Sequence, residues 1–237
     1  MAPSANVQLL TTMLDAVLIE WENVLVDTSS VRRDALVRAF AEEGLHFDAS
    51  RFFAESDGRP RYKAVAAALS AAGRADETLT DLIVMRAGRA FADSIGKGFV
   101  LVPGARAFVE QAQLGTRIAI VTLATRAETD FVLRLAGIDG AVSSVICVEP
   151  SEAVRSTYER SLAHLARRLP VRSDHTVAVA HVPVALRGAR AAGIRTVAVG
   201  APAHDALEAD GAVRSIEGLA LADVARVAGL VTGEHQP

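Results

Sequence analysis

Two acidic side chains, Glu20 and Glu22, follow an apolar run in the segment LIEWENVLVDT at residues 18–28. The run AVLIE at 16–20 is apolar without alternation, which is typical of a strand covered on both faces, so both carboxylates are expected at a strand end. Paired carboxylates can act as general acid and general base in a reaction. They also occur at strand ends as solvated side chains, so a structural role stays open beside the catalytic one.

The elements that must position these carboxylates alternate between strands and helices. Apolar runs rich in Val and Ile predict buried parallel strands at 16–20, 117–122, 143–148, 176–180 and 195–200. Amphipathic helical patterns lie between the strands, the longest of them at 152–169. Three others end at Gly115, Gly137 and Gly193, and helices commonly stop at a glycine. This alternation predicts an α/β fold with a Rossmann-like, doubly wound parallel sheet.

Residues 31–100 break this alternation, because helical patterns at 31–44, 62–73 and 77–95 follow one another with no strand signal among them. The sequence therefore predicts an all-helical cap domain at 31–100, inserted into a core domain formed by 1–30 and 101–237. The stretch VPG at 102–104 marks the return to the core, and residues 205–229 predict a helix, a short strand and a further helix.

Composition limits the classes of function. The chain has 237 residues, 51% of them hydrophobic, and a net charge of −3 from 25 basic and 28 acidic residues. This charge argues against a nucleic-acid-binding protein that works through a global positive field. Cys147 is the single cysteine and cannot form an intrachain disulfide. No apolar run reaches the ~20 residues of a membrane span and the N-terminus lacks a signal-peptide pattern, so we expect a soluble cytoplasmic protein without membrane partners.

Ligand sites in such sheets lie beyond the carboxyl ends of the strands. One predicted strand ends at Thr122, and the first turn of the helical pattern that follows contains Arg126. Helix N-termini bind anions, so Thr122 and Arg126 are candidates for a phosphate or other anion site. A threonine at this position can instead cap the backbone of the following loop or helix.

In the order of its elements and at its strand ends, the chain resembles the haloacid dehalogenase superfamily, and within it the phosphatases and β-phosphoglucomutases that have a small helical cap. The resemblance rests on LVDT after the first strand, the helical insertion, and the segments LVPGARAFVEQA, IAIVTLATRAETDFVLRLAGI and ARAAGIRTVAVG. It implies a helical cap over the predicted core. It also implies that GRPRY at 58–62 is a specificity loop in which Arg59 and Arg61 contact a charged ligand. Such arginines are also found solvated or paired with nearby acids.

The resemblance implies chemical roles for three positions. The family's first motif is Asp-x-Asp, in which the first Asp takes the phosphoryl group and the second is the general acid and base; Glu20 and Glu22 stand there. The second motif is a phosphate-binding Ser or Thr, which Thr122 matches. The extra methylene of Glu20 displaces its carboxylate by roughly 1 Å, and a shift of that size can cost on the order of 10²-fold in rate.

Two further family motifs are lost. A lysine that neutralises the nucleophile and the phosphate is replaced by Glu152, and an acidic pair that holds Mg²⁺ is replaced by Ala180 and His181. The resemblance thus implies that the magnesium site is lost and that no cofactor is bound. Glu20, Glu22 and Glu152 would then face a phosphate dianion with no cation between them, which is repulsive. We expect Glu152 or Glu20 to contact His181 in place of the family's ion pairs.

The predicted function is that of a pseudoenzyme, a family member that has lost Mg²⁺-dependent phosphoryl transfer and acts in binding, regulation or structure. Its partner would be a small anionic ligand or another protein. The alternative is an active hydrolase, either a small-molecule phosphatase or a sugar-phosphate mutase, that uses Glu20 and Glu22 with altered geometry. Two weaker alternatives also use His181: a different hydrolytic reaction, and a Zn²⁺ or Mn²⁺ site shared with Glu20.

Overall fold

A computed structural model describes residues 14–56, 61–147, 160, 171–200 and 208–230. The described strands, in chain order, are β1 (Ala16–Ile19), β2 (Val26–Asp27), β3 (Val100–Leu101), β4 (Arg117–Thr122), β5 (Ser144–Cys147), β6 (Thr176–Ala180), β7 (Arg195–Val199) and β8 (Gly211–Val213). The described helices are α1 (Ser29–Glu42), α2 (Ala49–Ser56), α3 (Arg61–Ala71), α4 (Glu77–Ile95), α5 (Ala105–Ala112), α6 (Arg126–Ala136), α7 (Pro183–Ala191) and α8 (Leu221–Val227).

Six of these strands form one parallel sheet in the order β5-β4-β1-β6-β7-β8. The chain fills one side of β1 with β4 and β5 and then crosses to β6 on the other side, so the sheet is doubly wound. The predicted Rossmann-like α/β fold is confirmed. Each of the five predicted strands is found with its ends within one residue of the expected positions.

The central strands are buried on both faces, which explains why their sequences are apolar without alternation. In β1, Val17 and Ile19 pack into one hydrophobic cluster, and Ala16 and Leu18 pack into another on the opposite face. All four side chains are fully buried. The carboxylates that follow this strand therefore lie at the carboxyl edge of the sheet, next to the buried hydrophobic core.

Helices α1 to α4 form the helical insertion predicted between the first strand and the rest of the core. They pack around a hydrophobic cluster of their own that includes Leu36, Leu69 and Ile83. The sequence analysis does not predict α2. The start of this helix is stabilised by Asp48, whose Oδ1 accepts a hydrogen bond from the amide of Arg51 at 3.0 Å.

A short antiparallel ribbon joins the helical insertion to the core. Val26 of β2 pairs with Leu101 of β3, and Asp27 pairs with Val100. The prediction that residues 31–100 contain no strand is wrong at this boundary. A ribbon with two residues in each strand is too short to leave a periodic pattern in the sequence.

The helix boundaries follow local signals. Helix α4 covers its predicted span, and the side chain of Asp76 caps it by accepting from the amide of Leu79 at 2.8 Å. Helix α6 ends at Gly137, whose φ of 64° is left-handed and suits glycine. The helix predicted over 152–169 lies outside the described residues, apart from Arg160. None of the helices in the described ranges has the length and apolar character that crossing a bilayer requires.

Candidate functional site

The carboxyl ends of three neighbouring strands meet at the centre of the sheet. Because β1 lies between β4 and β6, Glu20, which follows β1, has Thr122 at the end of β4 on one side and His181 after β6 on the other. Glu20 and Thr122 are buried, and His181 is half-buried. This edge is the topological switch point of the sheet, the place where α/β proteins bind ligands.

Glu20 is held by the protein itself. Its Oε2 accepts hydrogen bonds from the backbone amides of His181 at 2.8 Å and Val182 at 3.1 Å. Burial raises the pKa of Glu20 to about 8. The hydrogen bonds from the two backbone amides oppose this rise, and the negative charge of Glu22 adds to it. The residue is only 6% exposed. Near pH 7 it is therefore mostly a neutral carboxylic acid that fastens β1 to the loop after β6.

The predicted contact between Glu20 and His181 forms through the backbone and not through the imidazole ring. The Nδ1 atom of His181 lies 3.0 Å from the carbonyl oxygen of Val199, at the end of the neighbouring strand β7. Glu20 and His181 are therefore in contact as expected, but through the backbone amide of His181, while its ring bonds to Val199. Glu152, the other predicted partner, lies outside the described residues.

Glu22 forms an ion pair with Arg32 of helix α1. The guanidinium carbon of Arg32 lies 4.3 Å from the ring centroid of Phe91 and 5.6 Å from that of Trp21, and aromatic faces attract such a cation. The side chains of Arg32 and Glu22 are only 14% and 16% exposed. The second carboxylate of the pair is thus neutralised by a residue of the helical insertion.

A second buried ion pair connects the helical insertion to the core. Arg61 of α3 donates two hydrogen bonds to Glu128 of α6, from Nη1 to Oε1 at 2.5 Å and from Nη2 to Oε2 at 2.9 Å. Burial would raise the pKa of Glu128, but the bonds and charge of Arg61, with the charge of Arg32, outweigh burial and lower it. Arg61 is thus paired with an acid of the core, and Arg59 lies outside the described residues.

Arg32 and Glu128 are site residues that the sequence analysis does not identify. Glu128 has a local signal, because Thr125 and Glu128 have the spacing of a capping box, and both bonds of that box are present. Arg32 has no such signal, since its partners lie outside its own helix. The expectation that no cation lies among the carboxylates is wrong, because Arg32 and Arg61 line the same cavity as both strand-end glutamates.

These side chains line a cavity of about 180 Å³ between the strand ends and the helical insertion. Its polar wall consists of Glu20, Glu22, Asn23, Arg32 and Arg61. Asn23 has a φ of 60°, a left-handed conformation that asparagine adopts more readily than most residues, and it turns the chain directly after Glu22. The rest of the wall is apolar, formed by leucine, phenylalanine, alanine and valine side chains.

Thr122 and Arg126, the predicted anion-binding residues, have partners within the protein. The Oγ1 atom of Thr122 accepts a hydrogen bond from the amide of Ala124 at 3.0 Å. Thr122 thus caps the backbone of the following loop, which was the alternative to anion binding. Arg126 is 64% exposed and pairs with Asp130 at 2.8 Å. It lines a separate surface pocket, so the structure does not bring Arg126 to the cavity that contains Glu20.

Comparisons with known proteins agree with this architecture. A sequence model described as haloacid dehalogenase-like hydrolase matches residues 14–193. Protein CbbY, encoded on a plasmid of Cupriavidus necator, is 29% identical over 196 residues, which cover 78% of this chain and 77% of that protein.

Solved structures of two proteins share the fold. CbbY from Rhodobacter sphaeroides in complex with phosphate superposes with a TM-score of 0.75 at 19% identity, covering 89% of this chain and 99% of that one. A mutant of the same protein was solved in complex with xylulose 1,5-bisphosphate. β-Phosphoglucomutase from Clostridium difficile superposes with a TM-score of 0.77 at 14% identity, covering 92% of this chain and 98% of that one.

Proposed function

The chain belongs to the haloacid dehalogenase-like hydrolase family, and we propose that it has lost metal-dependent phosphoryl transfer and acts as a binding pseudoenzyme. The observation that carries this proposal is the placement of Glu20, whose Oε2 accepts the amides of His181 and Val182. Burial raises its pKa to about 8. A carboxyl group that is mostly protonated and already bonded to the backbone is a weak nucleophile at neutral pH.

The side chains at the family's magnesium-binding positions fit that ion poorly. Mg²⁺ prefers an octahedral set of oxygen ligands, whereas Oε2 of Glu20 is occupied by two backbone amides, Glu22 is paired with Arg32, and position 181 carries an imidazole. In the ranges that the structure describes, no group of three His, Cys, Asp or Glu side chains is arranged to hold a metal ion. This supports the proposal that the chain uses no metal cofactor, Zn²⁺ and Mn²⁺ at Glu20 and His181 included.

One observation favours the alternative of an active hydrolase. Arg32 and Arg61 line the cavity, and arginines can stabilise the charge of a transferring phosphoryl group. Both guanidinium groups are already paired, Arg32 with Glu22 and Arg61 with Glu128. An anionic substrate would have to compete with buried carboxylates for these cations, so the pseudoenzyme remains the function that we propose.

Turnover assays test this proposal. The purified chain is incubated with p-nitrophenyl phosphate, sugar monophosphates and xylulose 1,5-bisphosphate in the presence of Mg²⁺, Mn²⁺ or Zn²⁺. The test variant is Glu20→Ala, and the matched control is Glu110→Ala, which removes a carboxylate that is 57% exposed. We expect wild-type turnover no higher than that of Glu20→Ala. Turnover that Glu20→Ala abolishes and Glu110→Ala retains would overturn the proposal.

A second variant separates an impaired enzyme from a pseudoenzyme. Glu20→Asp restores the shorter carboxylate of the family's first motif. If an overlong nucleophile were the only defect, this change would raise turnover by up to about 10²-fold. We expect no gain, because Asp at this position still lacks a fitting metal site. A gain with any of the three metals would favour the active hydrolase.

A further inference from the structure

An open groove lies in the helical insertion, outside the cleft at the strand ends. Its volume is about 500 Å³, within the ~300–1,000 Å³ of ordinary ligand pockets. The described residues that line it fall within 40–52 and 68–74. They belong to the end of α1, the loop before α2, the first half of α2 and the end of α3 with the turn after it. The groove is therefore formed by the helical insertion and not by the sheet.

The floor of this groove is aromatic. Phe40 and Phe52 are buried, and both line the groove. The ring of Phe47 stacks on that of Phe40 with their centroids 4.3 Å apart, and its centroid lies 5.1 Å from that of Phe52. Phe47 is half-buried, so part of this cluster stays open to the groove. Three adjoining rings form a continuous apolar surface on which a hydrocarbon chain can pack.

Small side chains line the groove on the side of α3. Ala68, Ala71 and Ala72 lie there, and alanine leaves unfilled the space that a larger apolar side chain would occupy. A cavity of ~150 Å³ holds the six heavy atoms of benzene, which is ~25 Å³ for each atom. By this measure the groove has room for about ten to twenty heavy atoms, enough for an alkyl chain with a small head group.

The rim of the groove carries more positive than negative charge. Arg51 and Arg74 lie there with a single acid, Asp48, and with His46, which adds positive charge when it is protonated. The Oδ1 atom of Asp48 already accepts a hydrogen bond from the amide of Arg51 at 3.0 Å. Arg74 forms no ion pair with any residue of the described ranges. The rim therefore favours an anionic head group over a cationic one.

We propose that this groove binds a medium-chain fatty acid. The alkyl chain packs on the phenylalanine floor and along the alanines of α3, and the carboxylate accepts hydrogen bonds from the guanidinium of Arg74. The charge of the rim selects an anion, and the apolar floor selects an alkyl chain over a polar body such as a sugar. The groove is separate from the strand-end cleft, so this site does not depend on the proposed loss of phosphoryl transfer.

Isothermal titration calorimetry of the full chain with octanoate tests this assignment. Octylammonium is the matched probe, because it has the same alkyl chain and the opposite charge. We expect octanoate to bind with a dissociation constant of about 1 mM, since few heavy atoms contribute. It should bind at least about tenfold more tightly than octylammonium. No heat of binding with octanoate, or equal binding of the two probes, would overturn the proposal.

Three variants locate the bound octanoate. Ala68→Leu fills the apolar side of the groove without changing any charge, and Arg74→Gln removes a cation from the rim. Each should weaken octanoate binding at least about tenfold. Arg74 is exposed, so Arg74→Gln carries the test if Ala68→Leu does not fold. Arg126→Gln, which removes an arginine outside the groove, should leave binding unchanged. Octanoate binding that persists in both Ala68→Leu and Arg74→Gln contradicts the assignment.

A second copy of the chain is another possible occupant of the groove, and sedimentation velocity tests for it. A monomer that binds octanoate supports the proposal. A dimer that Ala68→Leu dissociates, together with no binding of octanoate, would overturn it and identify the groove as an interface between copies. Both measurements are separate from the turnover assays on phosphate esters, so the failure of this inference and that of the proposed function give different results.

Discussion

Substitution of Glu20 by Gln should flatten the decline of stability with rising pH. In the folded chain the pKa of Glu20 is raised from 4.5 to about 8, so between these values the folded state keeps a proton that the unfolded state has released. The contribution of Glu20 is fully present below the unfolded pKa and is lost as pH rises toward the folded one. Gln keeps a carbonyl oxygen for the amides of His181 and Val182 but cannot ionise.

The expected magnitude follows from the two pKa values. Between about pH 5.5 and about pH 7.5, ionisation of Glu20 should lower the unfolding free energy of the wild type by about 2.5 kcal/mol relative to Glu20→Gln. Urea unfolding at both pH values, followed through Trp21 fluorescence, measures this difference. Glu110→Gln controls for removal of an exposed carboxylate.

A difference between wild type and Glu20→Gln that is the same at both pH values, within about 0.5 kcal/mol, would refute the reasoning. It would mean that Glu20 releases its proton as readily in the folded chain as in the unfolded one. Glu20 would then be a charged, solvated carboxylate and an available nucleophile.

Three further substitutions test contacts around the site and its supporting fold. Arg61→Ala leaves the buried carboxylate of Glu128 with only the more distant guanidinium of Arg32, at 3.6 Å, and should lower the unfolding free energy by about 3 kcal/mol. A chain with both Arg61→Met and Glu128→Leu should lose much less, and urea unfolding measures both losses. Thr122→Val removes the acceptor of a backbone amide and should cost about 1–3 kcal/mol, seen as a lower Tm. Gly104→Ala should cost at least about 1 kcal/mol by thermal unfolding, because φ is 82° and the new Cβ would lie 2.5 Å from Glu217.

Each of these has a contrary outcome. Equal losses in Arg61→Ala and in the double substitution would show that the remaining carboxylate is not stranded in a buried site. An unchanged Tm for Thr122→Val would mean that its hydroxyl is free for another role, such as holding an anion. A Gly104→Ala chain as stable as the wild type would show that the backbone there relaxes.

The strands of the sheet could be predicted because each is marked by an apolar run within its own segment of the sequence. The segments at 16–20, 117–122 and 176–180 are apolar throughout, and each became a strand buried on both faces. Helix α4 was equally clear, because Asp76 supplies a cap at its start. The short β2–β3 ribbon was not predictable in this way, since each of its strands has only two residues and leaves no periodic pattern.

The site was predicted in position but not in its contacts. The resemblance placed Glu20, Thr122 and His181 at strand ends, and the structure puts them at neighbouring ends of the sheet. The bonds of Glu20 reach across more than 160 residues, to the amides of 181 and 182, and amides carry no side-chain signal. Arg32 likewise could not be identified from the sequence, because it reaches Glu22 only when the helical insertion packs on the core.

The most direct test of the central claim is to look for a phosphoryl group on Glu20. The intact chain is incubated with a phosphoryl donor such as acetyl phosphate or xylulose 1,5-bisphosphate, with and without Mg²⁺, and its mass is measured after rapid acid quenching. The proposed loss of phosphoryl transfer predicts an unmodified mass under every condition, because Oε2 of Glu20 is bonded to the amides of His181 and Val182 and burial raises the pKa of Glu20 to about 8. A chain heavier by one phosphoryl group, mapped by peptide sequencing to Glu20, would contradict it.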